Sequence, residues 1–101
     1  MNTIKEKIIK PSTVVNMAVD LFDSNHKVIR GASRRARVVA IRDLCFKVCK
    51  DHLFMSDREI AFAFGKERSS VTIGLKRVKD NLENREQYRL MLSALERSLG
   101  L

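Results

Sequence analysis

Segment 56–78 reads S-D-R-E-I-A-F-A-F-G-K-E-R-S-S-V-T-I-G-L-K-R-V, and it specifies a helix start, a helix stop and a second start. Ser56 and Glu59 have the S-x-x-E spacing of a capping box, in which each side chain satisfies an orphan amide at the helix N-terminus. Ile60, Ala61 and Phe64 then form a compact apolar face, and Gly65 can take the left-handed backbone that ends a helix. Ser69 or Ser70 can cap the helix that follows. Its apolar stripe is Val71, Leu75, Val78 and Leu82, repeating at intervals of four, three and four residues. Two short helices joined by a tight glycine turn make a helix-turn-helix, expected here over 56–82. The second helix of such a unit enters the major groove of DNA.

The charge pattern agrees with that expectation. Twenty Lys and Arg against twelve Asp and Glu give a net charge of +8, which alone implies only attraction to polyanions. Its distribution says more. Residues 34–50 carry six basic and one acidic side chain, and residues 65–79 carry five and one. Between them, residues 51–64 carry one basic and three acidic. Two basic segments therefore bracket the first helix of the unit, and one of them contains the second.

The rest of the chain reads as helices and short breaks. Lys10-Pro11-Ser12-Thr13 opens a first helix over about 13–23, with Val14, Val15, Ala18, Leu21 and Phe22 on one face. Asp23-Ser24-Asn25-His26 breaks it, Val28 and Ile29 fit a short helical turn, and Gly31-Ala32-Ser33-Arg34-Arg35 is a basic loop. A long helix fits 35–52, burying Val38, Val39, Ile41, Leu44, Cys45, Val48 and Cys49. A last helix over about 85–99 packs Tyr88, Leu92, Leu95 and Leu99. Alternating apolar runs and Asn-Gly or Asp-Gly turns are missing from the sequence. The expected fold is all-α: a small helical bundle forming a single domain over 1–101, with an N-terminal arm over 1–10.

Other chemistries fit poorly. Cys45, Cys49 and His52 fall on one helical face, but a zinc site wants four ligands and His26 is the only other candidate. A buried core is the simpler account of the cysteines, and no metal or cofactor is expected. Two cysteines also do not suggest an oxidised scaffold. His52 lies near Asp51 and Asp57 without a nucleophile or oxyanion motif, so no enzyme activity and no small-molecule substrate are expected. Phe54, Phe62 and Phe64 resemble a stacking platform for single strands, yet their spacing beside Ile60 fits core better, with Phe62 the one candidate for exposure. The first helix carries Asp20 and Asp23 on its polar side, which argues against a membrane surface. No apolar run approaches the ~18 residues of a membrane span, and residues 1–10 lack a signal peptide's apolar stretch. A cytoplasmic, nucleoid-associated location is expected.

With the helices so placed, about 11–99 resembles the C-terminal DNA-binding domain of the bacterial replication initiator DnaA, a Trp repressor-like fold. The family motif is a helix ending in Phe-Gly-Gly followed by Arg-Asp-His-Ser/Thr-Thr-Val. Here Phe64-Gly65 is followed by Lys66-Glu67-Arg68-Ser69-Ser70-Val71, with one glycine missing. Asp57-Arg58-Glu59-Ile60 corresponds to the family's Leu-Pro-Glu-Ile, and Arg42-Asp43 falls in its Arg-Pro-Arg-Gln context. The resemblance implies double-stranded DNA as partner. It implies an arginine of the basic loop, Arg34 or its neighbour Arg35, in the minor groove, and Glu67, Arg68 and Ser69 on base edges in the major groove. It further implies Arg42, Lys50, Ser70, Lys76 and Arg77 on phosphates, to which their neighbours Lys66 and Lys79 are added as basic residues of the same surface.

The departures from the motif carry their own chemistry. Arg68 offers a fork suited to guanine O6 and N7, Glu67 can accept from a cytosine amine, and Ser69 lacks the threonine methyl that packs on thymine. A changed target sequence is implied. The chain has no G-x-x-x-x-G-K-[ST] phosphate loop, because its Gly65-Lys66 is followed by glutamate. The initiator's nucleotide-driven assembly therefore has no counterpart in these residues. The expected function is sequence-specific DNA binding that regulates transcription or replication by site occupancy. The alternative is a protein-interaction module that binds an acidic partner or antagonises the initiator. RNA is disfavoured, since the A-form major groove does not admit a helix.

Overall fold

The computed structural model describes residues 9–101, so the arm expected over 1–10 lies outside the described residues except for Ile9 and Lys10. Six helices follow one another: α1 (Pro11–Phe22), α2 (His26–Arg30), α3 (Ala36–His52), α4 (Asp57–Phe64), α5 (Arg68–Asn84) and α6 (Glu86–Ser98). No strand occurs among the described residues.

Local chemistry explains the helix ends. Pro11 stands in the first turn of α1, where its missing amide costs nothing. Asp23 closes α1 in the left-handed conformation, φ 54°. Asn25 opens α2 by accepting from the Val28 amide at 2.9 Å. The Ser56–Glu59 capping box forms as expected, with Ser56 Oγ accepting from the Glu59 amide at 3.1 Å and Glu59 Oε1 from the Ser56 amide at 2.8 Å. Gly65 ends α4 at φ 66°, and the Lys66 amide reaches back to the Ala61 carbonyl at 2.9 Å.

α5 begins earlier than the serines suggest. The Glu67 carbonyl already accepts from the Ser70 and Val71 amides at 3.0 and 3.3 Å, which makes Glu67 the N-cap. Ser69 and Ser70 therefore lie in the first turn and do not cap it. A carboxylate at this end is favoured by the helix dipole even without a capping hydrogen bond.

α3 is the central element, packed by α1, α2, α4 and α5, while α6 closes the bundle against α1 and α5. Its buried face includes Val38, Ile41, Leu44, Cys45, Phe46, Val48 and Cys49. Phe46 meets Phe64 of α4 edge to face, centroids 5.1 Å apart, a geometry worth roughly 0.5–1.5 kcal/mol beyond burial. Val71 and Val78 complete this core from α5, with Leu75 and Leu82 half-buried.

Three apolar side chains sit elsewhere than the sequence suggests. Val39 is half-buried, Leu21 is exposed, and Phe54 is 86% exposed. Phe54 occupies the short connection between α3 and α4 at φ 56°, outside any helix, so the helical spacing that argued for burial does not apply to it. Phe62 is 89% exposed and Phe64 is buried.

Candidate nucleic-acid interface

α5 turns Val71, Gly74 and Val78 inward, which sends Ser69, Thr72 and Lys76 outward at the same helical period. Arg68 and Lys79 are also exposed, and Glu67 is exposed just ahead of the helix. On one flank of α5 lies a cleft of about 630 Å³ between the basic loop, α3, α5 and Tyr88 of α6. Arg34, Lys66, Ser70 and Arg77 all line it. On the other flank lies a recess of about 470 Å³ lined by Lys50, Ser56, Asp57, Arg58 and Arg68. Basic side chains thus line recesses on both sides of α5, and Lys76 and Lys79 are exposed on the helix itself. Of the two loop arginines, Arg34 lines the cleft, whereas Arg35 is exposed at the N-cap of α3.

The basic loop is held by a side chain expected to do something else. Arg42 is only 8% exposed. Its Nε donates to the Ile29 carbonyl at 2.6 Å, and its terminal nitrogens donate to Val28, Gly31 and Ser33 carbonyls at 3.3, 3.1 and 3.2 Å. Burial lowers its pKa, partly offset by Asp43 alongside. The expectation of a phosphate contact at Arg42 is therefore corrected: its guanidinium binds the carbonyls at the end of α2 and shapes the loop from beneath. Lys66 is half-buried and donates to the Gly31 carbonyl that Arg42 also holds. Burial, then the nearby Arg42 charge, lowers the Lys66 pKa. A third tie comes from Arg30, which donates to the Ala63 carbonyl at 2.7 Å and covers the Phe64 ring at 5.2 Å.

Two carboxylates hold two more of the cations, Lys50 and Arg77. Asp57 accepts from Lys50 Nζ at 2.7 Å and from Thr72 Oγ1 at 2.6 Å, and these bonds, Lys50 first, hold its carboxyl below the usual range. Lys50 is thus tied to the start of α4 and to α5. Asp43 on α3 has a side chain only 2% exposed and takes Arg77 side-on, with Nε to Oδ2 at 2.7 Å and Nη2 to Oδ1 at 3.1 Å. Burial pushes the Asp43 pKa up against the opposing pull of Arg77, while Asp43 raises the pKa of Arg77.

The Cys45–Cys49–His52 face is divided. Both thiols are buried, which pushes their pKa values up, Cys49 to about 12. His52 instead meets Glu96 of α6 at 2.8 Å. No helix among the described residues is long and apolar enough to cross a membrane.

Beyond the residues expected from the sequence, Asp43, Arg58, Ile73, Asn81 and Tyr88 also line the two flanks. Asp43 carried a signal: a lone acid in an otherwise basic segment. Tyr88 carried none, because it stands on a different helix from everything it faces. No protein-family model and no curated protein matches this chain.

Proposed function

We propose that this chain binds double-stranded DNA sequence-specifically, with α5 in the major groove and the Arg34–Arg35 loop in the adjacent minor groove, as a divergent relative of the DnaA C-terminal domain. The observation that carries the reading is the placement of cationic recesses on both flanks of α5. A helix seated in a major groove has a sugar-phosphate strand on either side, and each strand needs cations opposite it. Arg34, Lys66 and Arg77 stand on one flank, and Lys50 and Arg58 on the other. Glu67, Arg68 and Ser69, at the start of the helix, are the candidates for reading base edges, because N-terminal residues of a recognition helix reach them. Site occupancy at the nucleoid would then regulate transcription or replication.

A second reading, a protein-interaction module, has the exposed Phe54 and Phe62 in its favour, since large exposed aromatics are favoured at protein contacts. Selection of bound sequences from a random duplex pool separates the two. Enrichment of a defined motif is the expected result, and recovery of an unenriched pool would move the weight to the protein partner.

A further inference from the structure

The Arg77–Asp43 pair is more than an ion pair across two helices. A guanidinium has two edges on which it can make paired hydrogen bonds, and Asp43 takes only the Nε–Nη2 edge. Among the described residues, Nη1 makes no hydrogen bond, and Arg77 lines the cleft with its side chain 45% exposed. The buried carboxylate therefore fixes the plane of the group while its outer edge stays open. Asp43 lines the same cleft but its side chain is almost wholly buried, with α5 passing close over it at Gly74, so Arg77 is the exposed member of the pair.

Resting on the DNA-binding reading, we infer that Asp43 is a positioning residue, holding Arg77 so that its free edge meets a backbone phosphate of bound duplex in the cleft between α5 and the basic loop. A freely rotating arginine would have to be ordered on binding, which costs rotamer entropy. Here it is ordered beforehand. Ser70, Asn81 and Tyr88 line the same cleft as neutral hydrogen-bonding groups.

The test exploits an opposition of signs. Asp43→Asn raises the net charge by one, so bulk electrostatics alone would tighten binding to any duplex. Positioning demands the reverse. Affinity for a mixed-sequence duplex at fixed potassium chloride should fall about tenfold in Asp43→Asn, the scale of a charge-assisted paired hydrogen bond. Arg77→Ala should lose at least as much, and adding Asp43→Asn to Arg77→Ala should cost nothing more. Arg77→Lys, which keeps the charge but not the fork, should also bind several-fold more weakly than wild type. Equal or tighter binding by Asp43→Asn overturns the positioning role while leaving DNA binding intact. If Asp43→Asn does not fold, Arg77→Lys decides: wild-type affinity overturns the proposal and weakened binding upholds it. A wild-type chain that binds no duplex overturns the DNA reading and this role together.

Discussion

A Cβ built on Gly74 would stand 2.7 Å from Oδ1 of Asp43, so α5 crosses α3 at a point where only a bare backbone fits. The same atom would lie 3.1 Å from the Phe46 ring. Gly74→Ala sets two effects against each other. Alanine gains roughly 0.5–1 kcal/mol of helix propensity over glycine, whereas overpacking a core contact typically costs about 1–3 kcal/mol. Asp43 is clasped by Arg77 and cannot swing aside without breaking that pair, so the crowding should win. The expected outcome is a net loss of about 1–2 kcal/mol in denaturant unfolding, and a variant as stable as wild type would show that the crossing relaxes.

How far the sequence reveals this arrangement depends on the separation of the partners. The Ser56–Glu59 box, the Gly65 turn and the α5 stripe are local patterns, and all are present in the structure. α5 starts two or three residues earlier than its serines suggest, because the Glu67 carbonyl already accepts from the Ser70 and Val71 amides. Arg42 departs from expectation for a different reason. Arginine is almost never fully buried unless paired, and the carbonyls that pair it lie on a neighbouring helix and loop. The Asp43–Arg77 pair spans two helices, so the lone acid in a basic segment marks Asp43 but nothing local names its partner.

The salt dependence of duplex binding follows from the corrected set of cations. On the DNA-binding reading, with Arg42 and Lys66 both held by loop carbonyls, Lys50, Arg58, Lys76, Arg77 and Lys79 are the phosphate candidates, which implies a log–log slope of roughly −4 to −5 at ~0.9 per contact. A potassium chloride titration reads it directly. A slope near zero would remove phosphate neutralisation from the account.

Replacing Arg34 and Arg35 together with alanine should weaken specific binding and leave the helical circular dichroism unchanged, since neither side chain is buried. Narrow A·T-rich minor grooves concentrate negative potential, so the loss should be greatest on such flanks. Equal losses on A·T-rich and G·C-rich flanks would reduce the pair to bulk charge.

Arg68 and Lys76 separate reading bases from sitting on DNA. Arg68→Ala should relax preference at one guanine position by about 1–3 kcal/mol while barely changing nonspecific affinity. Lys76→Ala, on the outward face of α5, should weaken all duplexes alike. Uniform losses in both would make Arg68 a phosphate contact and pass specificity to Glu67, Ser69 or DNA shape.

Asp57 gives a pH signature. Its pKa is lowered in the folded state, so its bonds to Lys50 and Thr72 add stability above the unfolded carboxyl value and lose it as pH falls through the folded one. Because Lys50 is well exposed, the contribution should be modest, roughly 0.5–1 kcal/mol. Asp57→Asn should therefore melt below wild type at neutral pH, with the gap closing below about pH 4. A gap that persisted unchanged into acid would assign the effect to packing.

The Gly31 carbonyl accepts from Arg42 on one side and Lys66 on the other, tying the basic loop to the turn that launches α5. On the DNA-binding reading, the two reading elements then work as the fixed jaws of a caliper. The interval between a major-groove site and its minor-groove flank becomes a length stored in the protein, and DNA of a different interval must bend or twist to be measured.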